Sequence, residues 1–337
     1  MTVMRTITRR GFITSASAAA LGVTALAMPT ANASALPPER RVIYSYAGAQ
    51  PPAELLTLAS KGQIGGVIFF ADNISSVQQV AGVAAEFRKA SPTPLILTVD
   101  QEGGQVNRLP GGPAQSAKQV GASADVSAAA RDQAATAARV LTAAGMNTNL
   151  APVVDVYRTP GDFTDHYGRS FSNNPSVVAT CAGSYISTLQ GSKVSACAKH
   201  FPGLGAAATN ANTDEVPVTI DRPANELTSV DMFPYQRAIQ AGIALVMPSW
   251  AKYPALDPAN PAGMSTIILQ NHLRQRLGFR GLIISDALEA GALGSYGSTG
   301  NRAISADRAG VDLLCCSSRN IEQGKEATQA LRQVAPR

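Results

Sequence analysis

Eight short runs of apolar, strand-favouring residues, each followed by a longer segment rich in Ala, Leu and Gln, constrain this chain more than any other feature. The runs cover residues 42–46, 66–70, 95–99, 147–154, 194–199, 244–248, 282–285 and 311–315. Between them, apolar residues recur at helical spacing over 75–89, 127–144, 175–189, 230–241 and 266–277. Strands alternating with helices read as β-α units around a parallel sheet. Eight such units favour closure into a single (β/α)8 barrel over an open doubly wound sheet. A Rossmann-type arrangement is the competing expectation, but no Gly-rich phosphate fingerprint opens a helix after any of these strands.

The segment ahead of this pattern has a different chemistry. Arg5, Arg9 and Arg10 precede a largely apolar run over 18–28 and the small-residue stretch Ala31-Asn32-Ala33-Ser34-Ala35, the layout of a secretory signal. The string Thr8-Arg9-Arg10-Gly11-Phe12-Ile13 resembles a bacterial twin-arginine export signal. Residues 1–35 are therefore expected to be removed, and the mature protein to be extracellular or in the cell envelope of a bacterium. A membrane anchor is the alternative, but the apolar run is shorter than the ~20 residues of a bilayer span. No transmembrane segment is expected in the mature chain.

Without its N-terminal arginines the chain drops from a formal charge of +5 to about +2, which removes any electrostatic argument for nucleic acid. With 45% apolar and 15% charged residues, it has enough material for a large core and no signature of disorder. Cys197, Cys315 and Cys316 lie in or beside apolar strands and are expected as buried free thiols. The cysteine spacing fits no metal site.

Asp100, Asp155, Lys199, His200, Ser249 and Asp286 all fall at the C-terminal ends of the apolar runs. In a barrel those ends meet on one face, where chemistry is done. The loops over 103–113, 157–174 and 201–217 rise from the same face and are the longest. Asp286 follows Gly281-Leu282-Ile283-Ile284-Ser285 and could attack an electrophilic carbon; a metal ligand or a structural hydrogen-bond acceptor would suit the position equally. Lys199 and His200 form a pair able to grip hydroxyls. Arg108 and Arg169 add forked donors, unless they form surface salt bridges.

Five segments occur in an order and spacing similar to those of the β-N-acetylglucosaminidases of glycoside hydrolase family 3. They are Val99-Asp100-Gln101-Glu102-Gly103-Gly104-Gln105-Val106-Asn107-Arg108, Asn149-Leu150-Ala151-Pro152-Val153-Val154-Asp155, Gly168-Arg169-Ser170-Phe171, Lys199-His200-Phe201-Pro202-Gly203, and Leu277-Gly278-Phe279-Arg280-Gly281-Leu282-Ile283-Ile284-Ser285-Asp286. The resemblance implies one barrel domain over 36–337, a nucleophilic Asp286, and a sugar in the −1 subsite held by Asp100, Arg108, Arg169, Lys199 and His200. It implies a terminal β-linked GlcNAc or related cell-wall sugar as substrate and no metal or organic cofactor. The second domain of many β-glucosidases in the family is not expected.

The resemblance fails at the general acid/base. Its histidine, held by an aspartate two residues earlier, would fall at Asn212 and the aspartate at Asn210, and neither amide exchanges a proton near neutral pH. Leu204 and Trp250 also stand where histidines are usual. His166, His200 and His272 are the chain's three histidines, and His166 alone is spare. Retaining hydrolysis needs a nucleophile and a second proton-transferring group. Three expectations follow: Asp214 or Glu215 replaces the acid, the enzyme is slow and limited to good leaving groups, or the protein is a sugar-binding pseudo-enzyme.

Overall fold

The computed structural model describes residues 36–334; the export signal expected at 1–35 lies outside the described residues, as do 335–337. Eight parallel strands close into a barrel: β1 (Val42–Tyr44), β2 (Gly66–Phe69), β3 (Ile96–Val99), β4 (Thr148–Asn149), β5 (Ser195–Phe201), β6 (Leu245–Pro248), β7 (Leu282–Ala287) and β8 (Leu313–Cys315). Closure pairs Val42 with Leu314 and Ile43 with Cys315. This is the (β/α)8 architecture expected from the alternating pattern.

The side-chain period of two in these strands divides the core. Ile43, Ile68, Ile96, Leu150, Cys197, Leu245, Met247, Leu282, Ile284, Leu313 and Cys315 form one cluster, with Leu36, Phe70 and Ala244 packed against it. No helix residue belongs to that cluster, so it fills the barrel interior. Their chain neighbours Val67, Leu97, Ala198, Val246, Ile283 and Leu314 join a larger core beneath the helices. Burying each of the larger aliphatic side chains contributes roughly 1.5–3 kcal/mol. The interior is thus a packed plug, and chemistry is confined to the space above it.

Helices begin where short polar side chains accept from free backbone N–H groups. Ser76 starts Val77–Ala90, Asp125 starts Val126–Ala143, Asn174 starts Pro175–Gly191, Ser298 starts Thr299–Ala309 and Asn320 starts Ile321–Arg332. Three elements differ from the sequence reading. Regular pairing in β4 stops at Asn149, well short of residue 154, because Pro152 has no N–H to continue a ladder. The helix expected over 230–241 is a π-type turn, Leu227–Asp231, followed by Phe233–Gln240, whose start carries Pro234. The helix expected over 266–277 is present as Ile267–Arg276, wound in π-type geometry.

Cys181, Cys197, Cys315 and Cys316 are buried free thiols. Among the described residues no helix is long and apolar enough to cross a membrane.

Candidate active site

Three site residues are the next inward-facing positions above the plug. Asp100 lies two residues beyond Thr98 and four beyond Ile96, Lys199 two beyond Cys197, and Asp286 two beyond Ile284. These three strands thus place a buried side chain in the interior and, two residues on, a charged one at the mouth. Together they border a cavity of about 210 Å³ whose floor is Ile68, Phe70, Leu150, Met247 and Cys315. Arg108, Arg169, His200 and Asp214 line the same cavity. Its volume is below the ~300–1,000 Å³ usual for pockets that take drug-sized molecules, which suits a single pyranose ring.

Immediately above β3 the chain forms a two-stranded antiparallel ribbon, Gln101–Gly103 against Val106–Asn107. The ribbon carries Glu102 into the cavity wall. Its carboxylate accepts from Arg169 Nε and Nη2, both at 2.9 Å, and lies 2.8 Å from Lys199 Nζ. Lys199 Nζ also donates to Asp100 Oδ1 at 2.6 Å. Burial alone would raise the Glu102 pKa, but the charges and hydrogen bonds of Arg169 and Lys199 outweigh it and hold the carboxyl well below the usual range. Burial likewise opposes the charge on Lys199, and Asp100 and Glu102 restore it, leaving the ammonium more basic than usual. Two anions and two cations thus neutralise one another at the pocket wall.

Asp155, fully buried at the end of the fourth apolar run, organises the next turn. Its Oδ1 accepts from the backbone N–H groups of His200 at 3.1 Å and Leu204 at 2.7 Å, while Oδ2 lies 2.8 Å from His200 Nδ1. Engaging Nδ1 in this way leaves Nε2 as the nitrogen available to a ligand. Gly203 passes so close to Asp231 that a Cβ would come within 2.6 Å of the Asp231 Cβ, and its φ of +149° also disfavours a side chain. Arg108 contributes a different feature: among the described residues its buried Nε has no hydrogen-bond partner.

The loop after β5 separates the two proposed acids. Asn212 Oδ1 accepts from Asp214 N, and its Nδ2 donates to Glu215 Oε1, both at 3.1 Å. Asn212 and Asp214 border the cavity, while Glu215 is turned out of it. The loop is fastened to the segment after β7: Gly291 N donates to Asp214 O at 2.8 Å and Ala292 N to Thr213 O at 3.1 Å. Gly291 has to be glycine, since a Cβ would meet the Glu215 carbonyl oxygen at 2.1 Å. Although residue 214 as a whole is exposed, its carboxyl faces the cavity. Burial, then the negative charge of Asp286, push its pKa up to about 6, against the opposing pull of His200 and Arg169.

The residues at the other substituted positions serve the frame. Leu204 lines the cavity with a buried side chain, and Trp250 donates from Nε1 to Ala287 O at 2.8 Å, steadying the backbone next to Asp286. Asp286 Oδ1 accepts from Ala287 N at 2.8 Å. Asn210 is exposed and outside the cavity lining, and His166, the spare imidazole, is exposed and borders a different cavity. His272 lies on an outer helix, its pKa lowered by burial and by Arg276. Glu102 and Asp155 were given no role from sequence; Glu102 sits inside the Asp-Gln-Glu-Gly-Gly string, and Asp155 stands at a strand end and closes the Asn149–Asp155 segment of the family resemblance. Among the described residues no group of three or more His, Cys, Asp or Glu side chains is arranged to hold a metal ion.

A (β/α)8 barrel with carboxylates, paired cations and a ring-sized cavity at its C-terminal mouth defines a protein of the barrel glycosidase class. The chain belongs to glycoside hydrolase family 3: residues 25–336 match the model of the glycosyl hydrolase family 3 N terminal domain. It is 46% identical over 293 residues to an uncharacterized secreted glycosyl hydrolase of Arthroderma benhamiae, covering 85% of this chain and 82% of that one. A β-hexosaminidase of Xanthomonas oryzae pv. oryzae is 33% identical, covering 86% of this chain and 88% of its own length. Among solved structures, a family 3 β-N-acetylglucosaminidase from Paenibacillus superposes with a TM-score of 0.82 at 30% identity over 88% of this chain. This chain spans only 57% of that one. NagZ from Neisseria gonorrhoeae gives 0.77 at 29% identity, with 86% and 84% of the two chains covered.

Proposed function

We propose that this protein is a retaining glycosidase that releases terminal β-linked N-acetylglucosamine from cell-wall-type glycans, with Asp286 as nucleophile and Asp214 as general acid/base. The observation that carries the reading is the presence of both carboxyls at one ring-sized cavity, with Asp214 raised to about 6 partly by the charge of Asp286. Raising one carboxyl so that it keeps its proton is how such sites obtain a general acid.

In the first step the Asp286 carboxylate bonds to the anomeric carbon, the glycosidic C–O bond breaks, and Asp214 gives its proton to the departing oxygen. In the second, Asp214 takes a proton from water, the water oxygen bonds to the anomeric carbon, and the bond to Asp286 breaks. Asp100, Arg108, Arg169, Lys199 and His200 hold the ring during both steps. The Arg169–Glu102–Lys199 bridge keeps the cations in place, so binding sugar requires little reorganisation. The names of the Xanthomonas and Paenibacillus relatives support the acetamido sugar. The N-terminal arginine pair and the secreted Arthroderma relative support export, here from a bacterium through the segment at 1–35.

The test compares a β-GlcNAc disaccharide with an activated aryl β-GlcNAc glycoside. The wild type should cleave both and Asp286→Ala neither; retained turnover by Asp286→Ala would discard the reading. A protein that cleaves neither substrate yet gains thermal stability from GlcNAc is a sugar-binding pseudo-enzyme, the outcome that Asn212 at the usual acid/base position favours.

A further inference from the structure

A second cavity, of about 420 Å³, opens at the same end of the barrel and has no part in the reaction described above. One wall is the Gly104–Gln105 turn of the ribbon and the other the chain from Asp165 to Gly168. The two cavities share a partition. Glu102 and Arg169 face the catalytic side, while their close chain neighbours Gly104, Gln105 and Gly168 face the second. Phe163 borders the catalytic cavity and meets the Tyr167 ring edge to face at 5.4 Å, and Tyr167 borders the second.

The chemistry of this cavity is that of a neutral, hydroxyl-rich ligand. Tyr167 is 42% exposed, and His166 packs edge to face against it at 4.9 Å. Around this aromatic surface stand the side-chain amides of Gln105 and Gln119 and the hydroxyl of Ser116, each able to donate and accept. Lys118 is the one lysine or arginine of the lining, and Asp165 answers it at 2.8 Å, so this pair leaves no net charge to select an ionic partner. The walls are tied together by backbone, with Lys118 N donating to Gly168 O at 3.1 Å and Gly104 N to Pro113 O at 3.3 Å. An exposed ring with amides beside it offers a flat apolar face and directional polar groups, the pair of features a pyranose presents in return.

We propose that this cavity is a second carbohydrate subsite, which holds a further neutral sugar residue of the glycan whose terminal ring occupies the catalytic pocket. The proposal rests on the glycosidase reading for the identity of that glycan. The catalytic cavity has room for one ring, so any longer chain lies outside it, and the larger cavity across the partition is where a distal residue finds an aromatic platform.

The test is calorimetric binding to the full chain carrying Asp286→Asn, with GlcNAc and with N-acetylchitotriose as probes. Chitotriose should bind more tightly than GlcNAc. Tyr167→Ala should weaken chitotriose by roughly five- to tenfold, the size of one lost aromatic contact, and leave GlcNAc unchanged. Tyr167→Phe, which keeps the ring and its packing on Phe163, should restore most of the loss. Chitotriose affinity indifferent to Tyr167, or equal losses for both probes, would overturn the proposal. Absence of GlcNAc binding alongside Tyr167-dependent chitotriose binding would count against the catalytic reading and leave the second subsite standing.

Discussion

Glu102 is the anion that Arg169 and Lys199 share: the guanidinium reaches it through two parallel hydrogen bonds of 2.9 Å, and the ammonium approaches to 2.8 Å. All three side chains are largely buried. Removing the shared anion leaves two cations facing each other with only Asp100 to answer them.

Glu102→Gln is therefore expected to cost about 3–5 kcal/mol of stability, as for other broken buried ion pairs, and to lower Tm by roughly 10 °C. The pH dependence gives a second readout. A carboxyl whose folded pKa is depressed contributes stability that is present above its unfolded pKa and is lost as pH falls toward the folded one. Acid denaturation followed by circular dichroism should be less steep in the variant than in the wild type.

Asp214→Asn tests proton transfer. Turnover of natural glycosides should fall ~100- to 10,000-fold, while an aryl glycoside with a good leaving group still forms the intermediate and azide accelerates its release. As an acid, Asp214 must be protonated, so wild-type kcat/KM for the disaccharide should decline as pH rises through about 6, and the variant should lack that limb. The linkage runs opposite to that of Glu102. A carboxyl raised from 3.8 to about 6 binds more protons folded than unfolded, so its contribution falls as pH climbs across that window.

Asp155→Asn removes the anion that orients His200 through Nδ1. A hydrogen bond to a charged group contributes ~1.5–3 kcal/mol, so kcat/KM should drop roughly 10- to 100-fold. If Asp155 acts through the imidazole, His200→Ala should be no worse when combined with Asp155→Asn than alone, a non-additivity that steady-state kinetics of the double variant would measure.

Arg108→Leu separates binding from folding. Its buried, unpartnered Nε costs the free protein ~1–3 kcal/mol, so a leucine should leave Tm unchanged or raise it. If the guanidinium holds sugar hydroxyls, KM for GlcNAc glycosides rises about tenfold in the same variant. A fall in Tm with KM unaltered would make Arg108 a structural residue.

The barrel was legible because its strands advertise a period: Ile96, Thr98 and Asp100, or Leu282, Ile284 and Asp286, place aliphatic and then charged side chains along one face. Asp100, Lys199 and Asp286 could be named for the same reason, whereas Arg108 and Arg169 stand in loops and were named from the family resemblance. Glu102 was not assigned because the chain leaves the barrel at β3 and enters an antiparallel ribbon, where strand periodicity no longer reports which way a side chain points. Asp214 and Glu215 were indistinguishable in sequence; the Asn212 turn that divides them depends on side-chain hydrogen bonds within the loop. His166, the one spare imidazole of the sequence, is carried by the short helix Phe163–His166 onto the far side of the partition.

The two backbone bonds between residues 213–214 and 291–292 mount Asp214, the proposed proton donor, and Asp286, the proposed nucleophile, on one chassis. The distance between them is gauged by the length of chain leaving the seventh strand. Lengthening that exit by a residue would disturb proton delivery first, while the grip on the sugar, set by other strands, would persist.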